Sequence, residues 1–370
     1  MASAATPADI QQIVSVPISA HAYNKDRTKV AIVPNSNEVH IYDKGPDGWV
    51  LSDTLKEHGQ LVTSVDWAPT TNRLVTCSQD RNAYVWNWNA TKRRWDPDLV
   101  LLRINRAATC VRWSPAENKF AVASGAKTVS VCYYEEENKW WVSKHIKKPI
   151  KSTVLAIDWH PNNLLLAAGS ADMTVRVYAA YIKEVDSKGS AAPWAEGRLT
   201  FAALLAEYDT GALGWAHSVA FSPSGGLLAW TSHGSSASIA DPVSKQVETV
   251  RYGGLPLVSS VWLNEDAIVA AGHDCYPVLV ARRSGRWEYI DKLDQQTKRA
   301  PSAALGSLAM NRFRQMDSKA QQGKEDTDLQ SVHQNTITEI VRLSDDRAHV
   351  SAFSTAGVDG RIVRWEVKGF

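Results

Sequence analysis

The sequence predicts an all-β fold, a single seven-bladed β-propeller, on three observations. One string recurs: LVTSVDWAPTTNRLVTCSQDRNAYVW at 61–86 returns as AATCVRWSPAENKFAVASGAKTVSVCYY at 107–134 and as VLAIDWHPNNLLLAAGSADMTVRVY at 154–178. Its period is fixed, because Trp67, Trp113 and Trp159 lie 46 residues apart each time. Each unit also divides into short runs rich in Val, Tyr, Trp and Thr, separated by Pro, Asn, Ser and Asp, which read as antiparallel strands joined by turns. A period in the mid-forties with four strands per unit is that of a propeller blade, which buries its two faces against its neighbours.

Taken in order, a weaker first copy occupies 18–42, the three strong copies follow as second to fourth, and weaker copies at 216–241, 257–282 and 337–365 complete seven. The last copy is finished by Trp365 to Phe370, whereas an extra alternating run, IVSVPIS at 13–19, precedes the first. That run is expected to supply a strand of the final blade, closing the ring and removing an exposed edge.

Composition narrows the chemistry. The 41 basic and 39 acidic residues of the 370 leave a formal charge of +2, so no long-range field draws the chain to nucleic acid or an anionic membrane. Charge-driven contacts must be local. Cys77, Cys110, Cys132 and Cys275 form no C-x-x-C pair and sit in apolar, strand-like runs, the pattern of reduced, packed thiols in a cytosolic protein. The start, MASAATPADI, has no basic, apolar leader, and no segment approaches the roughly 18 apolar residues of a membrane span. A soluble, cytoplasmic protein without membrane insertion is expected.

The period breaks twice. Phe221 follows Trp159 by 62 residues, and the excess lies around IKEVDSKGSAAPWAEG, 182–197, whose Ser, Gly, Ala and Pro content reads as a solvated inter-blade loop. Trp194 is the one position there expected to pack onto something. The larger break, 293–335, separates the sixth and seventh copies and is longer than a blade-to-blade connection needs. On a helical wheel of 100° per residue, Leu305, Leu308, Ala309, Phe313, Met316 and Ala320 fall within about 140°, one apolar stripe. Lys298, Arg299, Arg312, Arg314 and Lys319 against Asp317 give 298–319 a charge of +4. A basic amphipathic helix near 303–320 is expected. Alone in water it would be marginal, with Gly306 costing about 1 kcal/mol against Ala. Burying Leu305, Leu308, Phe313 and Met316 would gain about 6–12 kcal/mol before ordering costs. The helix therefore docks on its own propeller, or is disordered alone and ordered on a partner. In the second case Phe313 and Met316 are the anchors, and Arg312, Arg314 and Lys319 orient an acidic surface.

Catalytic patterns are missing. Gly125-Ala126-Lys127-Thr128 lacks the adjacent Gly-Lys and the earlier Gly of a phosphate loop, and there is no H-E-x-x-H or G-x-S-x-G. His217, His233 and His273 read as scattered turn and strand-start residues, so no metal site, cofactor or enzymatic activity is expected. Lys144, Lys147, Lys148 and Lys151 form a second basic cluster, either a solvated loop face or a contact for an acidic subunit or activator. Nucleic acid is not expected without interleaved exposed aromatics.

The copies resemble the WD-repeat family, best in the second, where His58, Ser78, Asp80 and Trp86 occupy the places of its blade-locking hydrogen-bond set. Asp172 before Tyr178 and Asp359 before Trp365 keep the same six-residue offset, while Lys127, Ser236 and Cys275 stand where the Asp is expected in the third, fifth and sixth copies. With HAYNKDRTKVAI near the start, HIKKPIKSTV at 145–154, VYAAYIKEVD at 177–186 and RAPSAALGSLAMNRFRQMDSKA at 299–320, essentially the whole chain resembles the WD-repeat subunits of actin-related protein 2/3 complexes. That resemblance implies a structural subunit of a seven-subunit assembly that binds the side of a mother actin filament and nucleates a daughter branch. It implies contacts with actin-related protein 2 and small scaffold subunits, and an insertion offered to the actin filament and to nucleation-promoting factors of the Wiskott-Aldrich type. A propeller adaptor of a ubiquitin ligase or a vesicle coat is the rival. Ligase receptors often end a blade in Trp-Asp-x-Arg, from which Trp86-Asn87-Trp88-Asn89 and Trp365-Glu366-Val367-Lys368 depart.

Overall fold

The computed structural model describes residues 6–46, 48–294, 329 and 331–367. They form seven four-stranded antiparallel sheets arranged as the blades of a propeller. Blades 1 to 6 are consecutive meanders over 20–55, 62–101, 108–146, 154–209, 216–251 and 257–292. Blade 7 takes Ile337–Arg342, Ala352–Gly357 and Arg361–Glu366 from the late chain and Thr6–Gln12 from the early chain.

Closure thus occurs as expected, but by a different segment. Thr6–Gln12 pairs antiparallel with Arg361–Glu366, from Thr6 opposite Glu366 to Gln12 opposite Arg361. Residues 13–19 instead carry the chain from the rim of blade 7 to the innermost strand of blade 1, and Pro17 could not donate to a ladder. Their alternation has another cause. Ile18 is fully buried between blades 7 and 1, Ile13 and Val14 pack beside it, and the Ile18 N–H donates to the Gly357 carbonyl at 3.2 Å.

The core is a ring of layers. Each junction between adjacent blades has its own apolar cluster, from the blade 1–2 cluster around Trp67 and Trp86 to the blade 7–1 cluster around Ile18 and Ile362. The middle strands, such as Leu74–Ser78 and Ala267–Gly272, are buried at every position, which is why they read as continuous apolar or small-residue runs rather than alternating ones. The innermost strands carry a register shift near their first residues in six blades, for example between Val62 and Ser64 and between Ile337 and Glu339. Such bulges increase local twist and re-aim side chains. Here Ser64, Cys110, Ser218 and Glu339 line the central channel.

The 182–197 segment is a loop exposed at ten of its sixteen residues but anchored at a few others, with Trp194 packed as expected. Ile182, Ala191 and Trp194 are buried, the Trp194 Nε1–H donates to the Gly225 carbonyl at 2.7 Å, and its ring meets Phe221 edge-on at 5.5 Å. Asp186 forms an ion pair with Lys119 of blade 3, both side chains wholly buried. A loop of this length would be expensive to order without burying apolar area, and Trp194 supplies that area while Asp186 fixes the position.

Between blades 6 and 7, the Asp294 carboxylate accepts the Val332 N–H at 2.6 Å, bringing the two ends of the insertion together. The helix expected near 303–320, with Leu305, Leu308, Arg312, Phe313, Arg314, Met316 and Lys319, lies outside the described residues.

Candidate functional site

The polar set expected in blade 2 is brought together, with one more member. His58 Nδ1 lies 2.8 Å from the Asp80 carboxylate and His58 Nε2 lies 2.8 Å from Thr76 Oγ1, which also accepts the Trp86 indole N–H at 3.0 Å. Ser78 Oγ accepts the Asp80 N–H at 3.1 Å and donates to the Gln60 carbonyl at 2.9 Å. Blade 7 repeats the set with His333, Thr355, Asp359 and Trp365. The threonines were not read from the sequence, although both stand four residues before the aspartate. Burial pushes the His58 imidazole down despite Asp80, so it stays neutral at neutral pH. Asp80→Ala should lower stability by about 1–3 kcal/mol, since the buried His58 ring and the Gly59 and Asn82 N–H groups lose their acceptor. Equal denaturant midpoints for variant and parent would refute the role.

Blade 6 corrects an alignment. Asp274, not Cys275, occupies the aspartate position: its carboxylate accepts the Leu255 N–H at 2.8 Å, as Asp80 accepts Gly59 at 3.0 Å. Cys275 has a positive φ of 64°, matching Arg81 at 73°. Lys127 and Ser235 show the same left-handed backbone, so the aspartate place falls one residue earlier than expected in blade 3, at Ala126, and two earlier in blade 5, at Gly234. The serine place in blade 6 is Gly272, where a side chain would collide with the Pro256 carbonyl. Without that serine the turn had no visible anchor in the sequence. In blade 4, Asp172 pairs with Arg176 at 2.9 Å and accepts the Lys151 N–H at 2.8 Å.

The four lysines of the basic cluster differ in their surroundings. Lys144 is engaged by Glu184 at 3.3 Å and lies over the Tyr133 ring, while Lys147, Lys148 and Lys151 are exposed on the following turn. Nor are the histidines all scattered. His217 Nε2 and His233 Nδ1 are 2.9 Å apart, and burial, with His233 and His273 nearby, pushes His217 down to about 4. Among the described residues no group of three or more His, Cys, Asp or Glu side chains is placed to hold a metal ion. The outer strands of blades 1 to 3 expose large apolar side chains, with Val50 63%, Leu101 57% and Trp140 58% accessible.

Across the channel, Glu339 of blade 7 accepts the Arg112 guanidinium of blade 3 at 2.7 Å and the buried His21 N–H of blade 1 at 2.7 Å. Arg112 also donates to Ser64 of blade 2 at 3.2 Å. Four blades are thereby braced through one carboxylate, and nothing in this arrangement presents a nucleophile with a base.

Comparison with known proteins accords with this architecture. The model of the WD domain, G-beta repeat, matches residues 49–87 and 143–179, each match joining the outer strand of one blade to three strands of the next. Actin-related protein 2/3 complex subunit 1A-A of Xenopus laevis is 50% identical over 365 residues, covering 97% of this chain and 96% of the relative. Actin-related protein 2/3 complex subunit 1 of Schizosaccharomyces pombe is 43% identical, covering 96% of this chain and 98% of the relative. Actin-related protein 2/3 complex subunit 1B of Arabidopsis thaliana is 40% identical, covering 95% and 94%. With a complete seven-bladed ring and relatives this similar along nearly their whole length, the chain belongs to the actin-related protein 2/3 complex subunit 1 family of WD-repeat propellers.

Proposed function

We propose that this chain is a non-catalytic structural subunit of an actin-related protein 2/3 complex, acting in the cytoplasm at the actin cytoskeleton. The observation that carries the reading is the 50% identity to a subunit 1A-A over 97% of the chain. The ring supplies a rigid body braced across its channel, and the exposed apolar rim of blades 1 to 3 suits contacts with other subunits. The insertion between blades 6 and 7 offers its basic amphipathic helix to the mother filament or to nucleation-promoting factors, with Leu305, Leu308, Phe313 and Met316 as the apolar anchors and Arg312, Arg314 and Lys319 as orienting charges.

Purification of the chain from its own cells at moderate salt tests the assembly: two actin-related proteins and four smaller subunits should accompany it stoichiometrically. A ligase or coat component in their place would make it a propeller adaptor. Within the assembled complex, Leu308→Ala, Phe313→Ala and Met316→Ala together should leave the thermal midpoint nearly unchanged and reduce branch density in a microscopy assay. A large fall in the midpoint would instead place the helix in the propeller core.

A further inference from the structure

The central channel is lined by the innermost strands of all seven blades. On the face carrying the turns that follow those strands, it opens into a cavity of about 520 Å³ between blades 7, 1, 2 and 3. The acids around this opening are engaged. Glu339 holds Arg112 and the His21 N–H, and Asp66 accepts the N–H groups of Trp67 and Trp113 at 3.0 and 2.7 Å. Glu117 accepts those of Thr70 and Thr71 at 2.7 and 2.6 Å, and Asp345 pairs with Arg27 at 2.7 Å.

Among the described residues three cations here lack an ion pair: Lys25, which borders only the opening, and two arginines that reach further in. Arg342 and Arg347 line both the channel and its opening. Among the described residues, neither makes an ion pair, Arg342 donates only from Nε to the Ser344 carbonyl at 3.1 Å, and the Arg347 guanidinium has no hydrogen-bond partner. Asp158, on the channel wall, accepts the Phe221 N–H at 2.8 Å and feels the charges of Arg347 and Arg342 without forming an ion pair with either. Burial, followed by the charge of Arg347, pushes Arg342 down to about 10, a sign that the two positive groups face one recessed space. Asp158 and Asp345 offset this only in part; like charges held so destabilise the fold, and a bound anion relieves that repulsion.

We propose that the channel opening between blades 7 and 1 to 3 is a binding site for a small phosphate-bearing anion, held by Arg342 and Arg347. Guanidinium groups match phosphate oxygens with paired N–H donors. The cavity has the size of a small-molecule site, and the arginines belong to the channel wall as well as the opening, which favours a compact anion over a protein segment crossing the surface.

The test is calorimetric titration of the full chain with pyrophosphate at constant ionic strength. Saturable binding to one site is expected, weakened by at least about tenfold in Arg342→Gln and in Arg347→Gln, as loss of a charge-assisted contact requires. Arg347→Gln should also melt higher than the parent without anion and lose the rise in midpoint that pyrophosphate produces. Lys147→Gln with Lys148→Gln should bind like the parent. Affinity unchanged in both arginine variants, or a midpoint shift reproduced by sodium chloride at equal ionic strength, would overturn the proposal. So would arginine-dependent binding of a hexaglutamate peptide by a chain that ignores pyrophosphate, which would assign the site to an acidic protein segment.

Discussion

Asp186→Ala should destabilise the protein by about 3–5 kcal/mol, the range for removing one partner of a buried ion pair. Lys119 and Asp186 are both fully buried. The Lys119 ammonium also donates to the Ala180 carbonyl at 3.1 Å and lies 5.2 Å from the centre of the Trp159 ring. Asp186 additionally accepts from Asn118 at 3.2 Å, Asn163 at 2.9 Å and the Ile182 N–H at 2.7 Å. Burial already pushes the Lys119 amine down, partly offset by Asp186. Without the carboxylate that offset is lost, and three donors lose an acceptor together. Urea unfolding measures the cost. The double variant Lys119→Met with Asp186→Leu should recover most of it, because an apolar pair replaces the ion pair without stranding a charge. A single variant that unfolds like the parent would mean that 182–197 is not part of the cooperative unit.

Glu339→Ala is the second large effect, at about 2–4 kcal/mol. It leaves Arg112 facing the channel without its ion-pair partner, and the buried His21 N–H without an acceptor. The magnitude is set below that of Asp186 because Arg112 retains Ser64 and the Val111 carbonyl as acceptors and its side chain is 31% exposed. A pH dependence accompanies it. Burial acts to raise the Glu339 carboxyl, but Arg112 and His21 outweigh burial and hold it below the usual carboxylate range. Its stabilisation is therefore complete above the unfolded value, about 4.3, and is lost as pH falls through the lower folded value. Between pH 5 and 3 the parent should lose stability more steeply than Glu339→Gln. Parallel profiles would show that the carboxylate charge contributes nothing.

The fold was legible because its signal is local and repeated. Each blade has a buried middle strand and a polar turn, and in blades 1 to 6 the inner strand carries a large aromatic at or near its end; in the strong copies a period of 46 residues displays all three in one window. The polar lock was legible where histidine, serine, aspartate and tryptophan all remain, as in blade 2. In blade 6 Gly272 replaces the serine, and the aspartate was placed one residue late, at Cys275 instead of Asp274. The displacements at Lys127, by one residue, and at Ser236, by two, show how a hairpin's register depends on which residue takes the left-handed conformation, a backbone choice that side-chain pattern does not display. Residues 13–19 misled for a related reason. Alternation marks burial on one side, and a segment wedged between two blades satisfies that as well as a paired strand does.

By itself, the sequence determined the class of fold, the number of blades, the closure of the ring by the early chain and the lack of catalytic signatures. These depend on composition and periodicity, which are properties of neighbours along the chain. Only the tertiary structure decided that Asp186 meets Lys119 across 67 residues, that Trp194 caps Phe221, and that Glu339 gathers Arg112 from 227 residues away. It also decided that Arg342 and Arg347 converge on one opening where, among the described residues, neither forms an ion pair. The energies of such groups depend on burial and on what lies within a few ångströms, and in a closed ring those neighbours come from blades that the sequence places far apart.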